Sequence, residues 1–393
     1  MNRIKKILKR TAVAVVSLVA LVVLFILISG NHYMFFMLRH TVLEGRMGPT
    51  VDEHVYYDNN VVAASETPFL WPIGANYETN QLSATDEAYH ETYQTKAFLV
   101  VHHGEIQYEQ YWDDYSDSSK TNSWSMAKSV CSHLIGCALQ DGLIQNVDQK
   151  ISDFLPDFKD DTITTLRNVL TMSTGYDWYE SYQNPFGFTA RSLYGNDTRT
   201  LMKRYDIVDE TGTTFNYKSA NSQLLGLIIS SVTGKTVSAY ASEKLWKPIG
   251  AKHNALWSLD HDQGDELAYC CFNTNIRDYA KFGKLYLNKG IVNGDTLIPA
   301  WYYEEATKPT ALELKTGGPN DRYGFQWWCS GYEGEPFFYA HGINGQYILI
   351  LPDSDLIVVR LGQSRPHKRI KGHPVDIYEY LRMAKNMIGS QGS

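Results

Sequence analysis

The chain has 393 residues, of which 44% are hydrophobic and 13% aromatic, so it can build a large core and is not a disordered protein. Its formal net charge is −7, and five of its 36 basic residues lie within the first ten, so the rest is more acidic still. Because an acidic body repels polyanions, we expect no nucleic-acid partner.

Residues 11–30 form an uninterrupted apolar stretch, TAVAVVSLVALVVLFILISG. About 20 helical residues reach roughly 30 Å, the thickness of the hydrocarbon core of a bilayer. The basic segment 1–10 favours the cytoplasmic side of a membrane. We therefore expect a single-pass signal anchor at 11–30 in a bacterial inner membrane, with the remainder of the chain on the periplasmic side. A cleaved signal peptide is the main alternative, although its apolar stretch is usually shorter. A third alternative is that residues 11–30 form a buried helix of a soluble protein.

Residues 31–85 are aromatic and irregular, and we expect them to form a collar on the main domain, residues 86–393. After Lys96, the run AFLVVHHGEIQYEQYW predicts two strands joined by a turn at His103-Gly104. Near the other end, PFFYAHG, QYILILP and DLIVVRLG predict three more strands, followed by a helix over about 374–388.

Between these ends the apolar residues recur at helical spacing. The pattern predicts helices after Ser125, over 224–232 and over 276–286, the last capped by Asn273 or Thr274. Strands near both termini with helices between them indicate a single antiparallel sheet, built from the two chain ends and carrying a mostly helical insertion. The predicted class is α+β.

The five cysteines are too few for a disulfide scaffold, and an odd number cannot all pair. Cys131 and Cys137 lie six residues apart in one predicted helix, which places them too far apart to bridge. We therefore expect buried apolar thiols. His102 and His103 have no partner at metal-ligand spacing, and no glycine-rich phosphate loop follows a strand, so we expect neither a metal nor any other cofactor.

The first candidate catalytic motif is Ser125-Met126-Ala127-Lys128, an S-x-x-K pattern. Positions i and i+3 share one face of a helix, so the hydroxyl and the amine can come within hydrogen-bonding reach. A serine needs a base to become a nucleophile, and lysine serves only when a lowered pKa leaves its amine neutral. An isolated S-x-x-K pattern is weak evidence, since a surface lysine on an amphipathic helix gives the same spacing.

Two further segments strengthen the case that Ser125 and Lys128 are catalytic. The first is FNYKSANSQLLG, with Tyr217 and Ser219 before a helix, and the second is YAHGINGQYILILP, with His341, Gly342 and Asn344 before a strand. In this order the three motifs resemble those of the serine β-lactamase and penicillin-binding-protein superfamily. The resemblance covers residues 90 to 365. It is strongest to the class C β-lactamase-related esterases and amidases, which include the 6-aminohexanoate-dimer (nylon-oligomer) hydrolases.

The resemblance implies the β-lactamase-like fold and a role for each matching residue. Ser125 matches the acylated nucleophile, Lys128 the base and Tyr217 the proton relay to the leaving group. The backbone N–H groups of Ser125 and Ile343 match the oxyanion hole. The positions that match substrate-binding residues are Ser219, His341, Gly342 and Asn344.

The departures from the superfamily pattern bear on the substrate. The β-lactamases have Tyr-x-Asn where this chain has Tyr217-Lys218-Ser219, and Lys-Thr-Gly where it has Ala340-His341-Gly342. The resemblance implies a serine hydrolase of a small-molecule ester or amide. Together with the apolar segment at 11–30, we expect this hydrolase to be anchored in the membrane. The alternatives are a D-amino-acid peptidase or weak β-lactamase, and a catalytically silent binding protein. We expect Lys218 to be solvated.

The segment YDWYESYQNPFGFTARSLY, residues 176–194, is dense in aromatic side chains with glycine and proline between them. Two interpretations stay open. The segment forms the rim of the cleft and selects an apolar acyl group, or it is an ordinary loop packed on the helical region.

Overall fold

The computed structural model describes residues 2–46 and 48–389. Within these ranges the α-helices are α1 (Asn2–Ser29), α2 (Tyr33–His40), α3 (Ala84–Thr92), α4 (Ala127–Gln140), α5 (Ile151–Phe154), α6 (Leu166–Leu170), α7 (Phe188–Tyr194), α8 (Thr198–Met202), α9 (Ser219–Thr233), α10 (Val237–Ala241), α11 (Ile276–Leu287), α12 (Ala300–Ala306) and α13 (Asp376–Gly389).

The strands in the same ranges are β1 (Asn59–Val62), β2 (Thr95–His102), β3 (Glu105–Tyr111), β4 (Thr121–Asn122), β5 (Thr214–Phe215), β6 (Ala255–Ser258), β7 (Phe272–Thr274), β8 (Ile291–Val292), β9 (Asp295–Thr296), β10 (Glu313–Leu314), β11 (Trp328–Tyr332), β12 (Glu335–Gly342), β13 (Gln346–Leu351), β14 (Leu356–Gly362), β15 (Arg369–Ile370) and β16 (His373–Pro374).

The main sheet is antiparallel, with the order β11-β12-β13-β14-β2-β3. The last long strand, β14, pairs with the first, β2, so that Val359 lies opposite Leu99. This pairing confirms the predicted α+β class with a sheet built from both chain ends. A smaller antiparallel sheet, β1-β6-β7-β4, accompanies it, and its edge strand β1 comes from the collar.

Alternation along the strands gives the main sheet two apolar faces. On one face Phe98 and Val358 pack with α13, and on the other Leu99 and Val359 pack with the core that contains α4, α9 and α11. The helix that follows Ser125 therefore lies within the larger core, where its side chains are almost all buried.

Two local predictions are wrong. Asn275 caps α11 by accepting the backbone N–H of Asp278, because Asn273 and Thr274 still belong to β7. Cys270 and Cys271, expected as free thiols, form a disulfide between neighbouring residues. The other three cysteines are free and buried, as expected: Cys131, Cys137 and Cys329.

Candidate active site

Ser125 lies in a one-turn 3₁₀ helix, Trp124–Met126, immediately before α4. The preceding residue, Trp124, has a φ of 46°, in the left-handed region that bulky side chains rarely adopt. The side-chain carbonyl of Asn122 accepts the backbone N–H of Trp124 at 2.8 Å. The nucleophile candidate thus stands on a tight turn that a buried side chain holds in place.

Lys128 points from the first turn of α4 back to Ser125. Its Nζ lies 3.0 Å from Ser125 Oγ, 3.1 Å from Ser219 Oγ and 2.8 Å from the backbone oxygen of Tyr269, and the residue is 1% exposed. Burial lowers the pKa of the Lys128 amine to about 8, against the opposing charge of Glu180. About one tenth of the amine is therefore neutral at pH 7.

Tyr217 lies between β5 and α9, and the Lys128 amine is 5.3 Å from the centre of its ring. Its ring stacks on Trp328 with centroids 5.6 Å apart, and its hydroxyl lies near enough to Ser125 for that side chain to affect the pKa of the phenol. Burial and the nearby Glu180 carboxylate raise the pKa of the phenol, and the contact with Ser125 lowers it. The net shift is upward, so the phenol stays protonated and can serve as a proton donor.

Ser219 begins α9 and connects Lys128 to a carboxylate that the sequence analysis missed. Glu180 accepts both the backbone N–H and the hydroxyl of Ser219 at 2.7 Å, and it also accepts the hydroxyl of Tyr182 at 2.7 Å. Glu180 is the only acidic residue between Asp177 and Asp197. That isolation within an aromatic segment was the one signal that could have revealed it.

The backbone of the third motif, at Gly342, packs directly against the backbone of the turn that carries Ser125. A Cβ atom at Gly342 would lie 2.2 Å from the carbonyl oxygen of Ser123, so only glycine allows β12 to approach this closely. Ile343 begins the next turn, and the buried Arg360 fixes that turn through the carbonyl oxygens of Asn344 and Gly345, each at 2.9 Å.

His341 and Asn344 have different surroundings. The His341 ring stacks on Tyr347 at 5.1 Å, and burial, reinforced by Arg365 and Arg369, holds its pKa well below the usual range. A neutral His341 cannot provide the positive charge of the lysine in Lys-Thr-Gly. The side-chain amide of Asn344 instead faces the collar, 3.5 Å from the carbonyl oxygen of Pro49.

The expectation that Lys218 is solvated is wrong. The side chain is 1% exposed and its Nζ donates to the carbonyl oxygens of Thr174 and Tyr176. Because Tyr176 begins the 176–194 segment and Lys218 follows Tyr217 in the chain, these hydrogen bonds connect the start of the segment to the backbone beside Tyr217.

The 176–194 segment contains a part that packs in the core and a part that reaches the candidate site. Tyr176 and Trp178 are buried and stack on each other with ring centroids 4.1 Å apart, which is ordinary core packing. Glu180 contacts Ser219, whereas Tyr182 and Phe186 are exposed. The segment thus starts in the core and continues along the edge of the candidate site, and we call residues 179–186 the rim.

The Cys270–Cys271 disulfide lies directly behind the site. Tyr269, whose carbonyl accepts the Lys128 amine, immediately precedes it, and the N–H of Cys271 donates to the Asn122 side chain at 3.1 Å. Asn122 also holds the Trp124 turn, so one short loop supports both the lysine and the serine.

The family model described as Beta-lactamase matches residues 87–376, about three quarters of the chain. The chain belongs to the Beta-lactamase family. Within this family, a 6-aminohexanoate-dimer hydrolase of Paenarthrobacter ureafaciens is 26% identical over 286 residues, covering 68% of this chain and 72% of that protein. A proposed D-alanyl-D-alanine carboxypeptidase of Escherichia coli K12 is 31% identical over 143 residues, 33% of this chain and 32% of the relative.

A comparison with solved structures shows the same fold in another protein. It is a proposed 6-aminohexanoate-dimer hydrolase from Bacillus anthracis, which superposes with a TM-score of 0.71 at 22% identity and covers 86% of this chain and 90% of its own. The family match and these similarities confirm the predicted superfamily and the predicted likeness to the 6-aminohexanoate-dimer hydrolases.

Proposed function

We propose that this protein is a membrane-anchored serine hydrolase that cleaves a carboxylic ester or a small amide through an acyl-enzyme on Ser125. The observation that carries the proposal is the 3.0 Å contact between Ser125 Oγ and the Lys128 amine, whose pKa burial lowers to about 8. With that pKa about one tenth of the amine is neutral at pH 7, which suffices for a general base.

In the acylation step, Ser125 Oγ attacks the substrate carbonyl while Lys128 takes its proton. The oxyanion forms opposite the backbone N–H groups of Ser125 and Ile343, and the N-terminus of α4 adds a favourable dipole. When the carbon–heteroatom bond breaks, protonated Tyr217 donates its proton to the leaving alcohol or amine, and Lys128 returns a proton to the phenolate.

In the deacylation step, water attacks the Ser125 ester, gives up one proton to the same relay and releases the acid. Ser125 recovers its hydroxyl proton from Lys128, so the sum is one ester or amide plus one water giving one acid and one alcohol or amine. Ser219 and Glu180 keep the Lys128 amine aimed at Ser125 throughout, through the hydrogen bonds described above.

The anchor is the helix from Arg3 to Ser29, which is long and apolar enough to cross a membrane. Its basic N-terminal residues favour the cytoplasmic side, which would put the catalytic domain outside the cytoplasm. The end of the helix packs against the domain, where Ile26 is fully buried. Such packing favours a retained anchor over a cleaved signal peptide.

The test is intact-mass labelling of the full chain with a fluorophosphonate probe, beside its Ser125→Ala variant. We expect a single adduct on the wild type and none on the variant. An adduct that persists on the variant would assign the nucleophile elsewhere. A folded wild type without any adduct would favour the catalytically silent binding protein.

A D-amino-acid peptidase or weak β-lactamase is the second candidate. Arg365 and Arg369 lie close enough to His341 to lower its pKa, and their charges can receive a substrate carboxylate in place of the missing lysine. The similarity to the Escherichia coli relative adds to this case. Stable acylation of Ser125 by a fluorescent penicillin, faster than by simple esters, would favour it.

A further inference from the structure

The rim joins the candidate site to the N-terminal helices. At its start, Glu180 receives two hydrogen bonds from Ser219. At its end, the Phe186 ring meets the Phe25 ring of α1 edge to face, with centroids 5.9 Å apart. The Tyr33 hydroxyl of α2 donates to the carbonyl oxygen of Pro185 at 2.6 Å. The two ends of the rim thus contact the site and the helix expected to cross the membrane.

The neighbouring helix α7 reinforces this attachment. The Arg191 guanidinium lies 5.6 Å from the centre of the Tyr33 ring, and the Tyr57 hydroxyl of the collar donates to the carbonyl oxygen of Leu193 at 3.1 Å. Phe36 packs against Tyr57 and Tyr194. Ring contacts, hydrogen bonds and one cation–π contact therefore fix the position of the rim along the axis of α1.

The position of the rim along α1 can be calculated from the rise per residue of the helix. Phe25 lies four residues before the end of α1 at Ser29, about 6 Å along the axis at 1.5 Å per residue. If α1 spans a bilayer, Phe25 lies just inside the outer edge of the hydrocarbon, and Phe186 lies beside it. Phe186 is six positions after Glu180, so Glu180 is at most about 22 Å from Phe186.

Large apolar side chains are exposed both on the rim and on the collar. Phe186 is 43% exposed, and on the collar Val42 and Leu43, in the turn that follows α2, are exposed as well, Leu43 by 80%. Exposed large side chains close to a membrane-spanning helix are typical of segments that enter the headgroup region.

We propose that the rim and the turn at Val42–Glu44 rest on the outer surface of the bilayer, and that the substrate is a membrane-resident amphiphile. Its long apolar chain would remain in the lipid while its ester or amide carbonyl reaches Ser125 past Tyr182 and Glu180. This inference rests on the proposed hydrolase and anchor, and it adds the class of substrate.

The first experiment compares two esters with the full chain reconstituted in phosphatidylcholine vesicles: water-soluble p-nitrophenyl acetate, and p-nitrophenyl palmitate dissolved in the lipid. The variant is Phe186→Ser, and the matched control is Leu143→Ser, 44% exposed in the turn beyond the far end of α4. We expect Phe186→Ser to lower kcat/KM for the palmitate about tenfold and to leave the acetate unchanged. Leu143→Ser should change neither.

A second experiment tests directly whether position 186 lies at the lipid headgroups. Because the free cysteines are buried, Phe186→Cys and Leu143→Cys can each be labelled at the new thiol with a nitrobenzoxadiazole dye. We expect lipids carrying a doxyl group near the headgroup to quench the dye at position 186 and not at position 143. A dye at 186 that is shielded from water without lipid quenching would indicate a second protein copy, and would overturn the proposal.

The outcomes separate the two proposals. If the wild type hydrolyses neither ester and Ser125 takes no probe, the hydrolase itself fails. If it hydrolyses the acetate but the Phe186→Ser variant treats both esters like the wild type, the hydrolase stands and the membrane-resident substrate is wrong.

Discussion

The α4 side of the site and the rim opposite it are built in different ways. Ser125 and Lys128 are three residues apart, and a buried helix fixes their contact. Glu180 reaches Ser219 across 39 residues, and Phe186 reaches Phe25 across more than 150. The comparison teaches that the bond-breaking chemistry is encoded locally, whereas the surroundings of the substrate depend on contacts that only the whole fold creates.

The largest expected effect lies on the α4 side. Lys128→Met keeps the length of the buried side chain but removes the base, so we expect acylation by a fluorophosphonate to slow about 10³-fold with the fold retained. Acylation slowed to this extent with an unchanged circular dichroism spectrum would agree. Acylation at the wild-type rate would show that another group accepts the Ser125 proton.

Lys218→Met is the matched control on the rim side, since both lysines are buried. This change leaves the carbonyl oxygens of Thr174 and Tyr176 without a donor and loosens the start of the rim. We expect kcat/KM to fall less than about tenfold, with KM carrying most of the loss. A loss as large as that of Lys128→Met would remove the distinction between the two sides.

Tyr217→Phe tests the link between the two regions and should have the next largest effect. It deletes the proton donor and leaves the stacking on Trp328 in place. We expect kcat to fall about 10²-fold, with a smaller loss for esters of acidic phenols, whose leaving groups need no proton. A uniform loss for all leaving groups would point to a structural role for the hydroxyl.

A subtler comparison concerns pH. Acylation requires neutral Lys128, so kcat/KM should rise as pH increases through about 8, the lowered pKa of that amine. The Glu180 charge opposes the lowering, so Glu180→Gln should shift the rise to lower pH. The measurement is a pH–rate profile of both proteins. A profile that keeps its midpoint while its height drops would mean that Glu180 only positions Ser219.

The smallest expected effect comes from the loop behind the site. Changing both Cys270 and Cys271 to serine removes the disulfide but keeps the backbone groups that meet Lys128 and Asn122. We expect kcat to decrease about two- to fivefold, a barrier change below about 1 kcal/mol. Steady-state rates of the variant and of reduced wild type should agree, and an unchanged rate would leave the disulfide without a role in the site.

What the sequence predicted and what it missed follow the same division. Periodicity and motif order were sufficient for the sheet from both chain ends, for α4, and for the grouping of Ser125, Lys128 and Tyr217. The burial of Lys218 and the place of Glu180 were missed because both depend on a segment without regular periodicity. Neighbouring cysteines gave no sign of pairing, since a disulfide between adjacent residues depends on local backbone conformation.

The pairing of β2 with β14 also has a consequence for how the protein matures. These strands lie more than 250 residues apart, and β12, which contacts the Ser125 turn, is connected to β2 only through β13 and β14. Such non-local pairing is slow to form. During synthesis, the serine–lysine pair would emerge long before the backbone N–H of Ile343, so the growing chain would stay inactive until its last strands arrive.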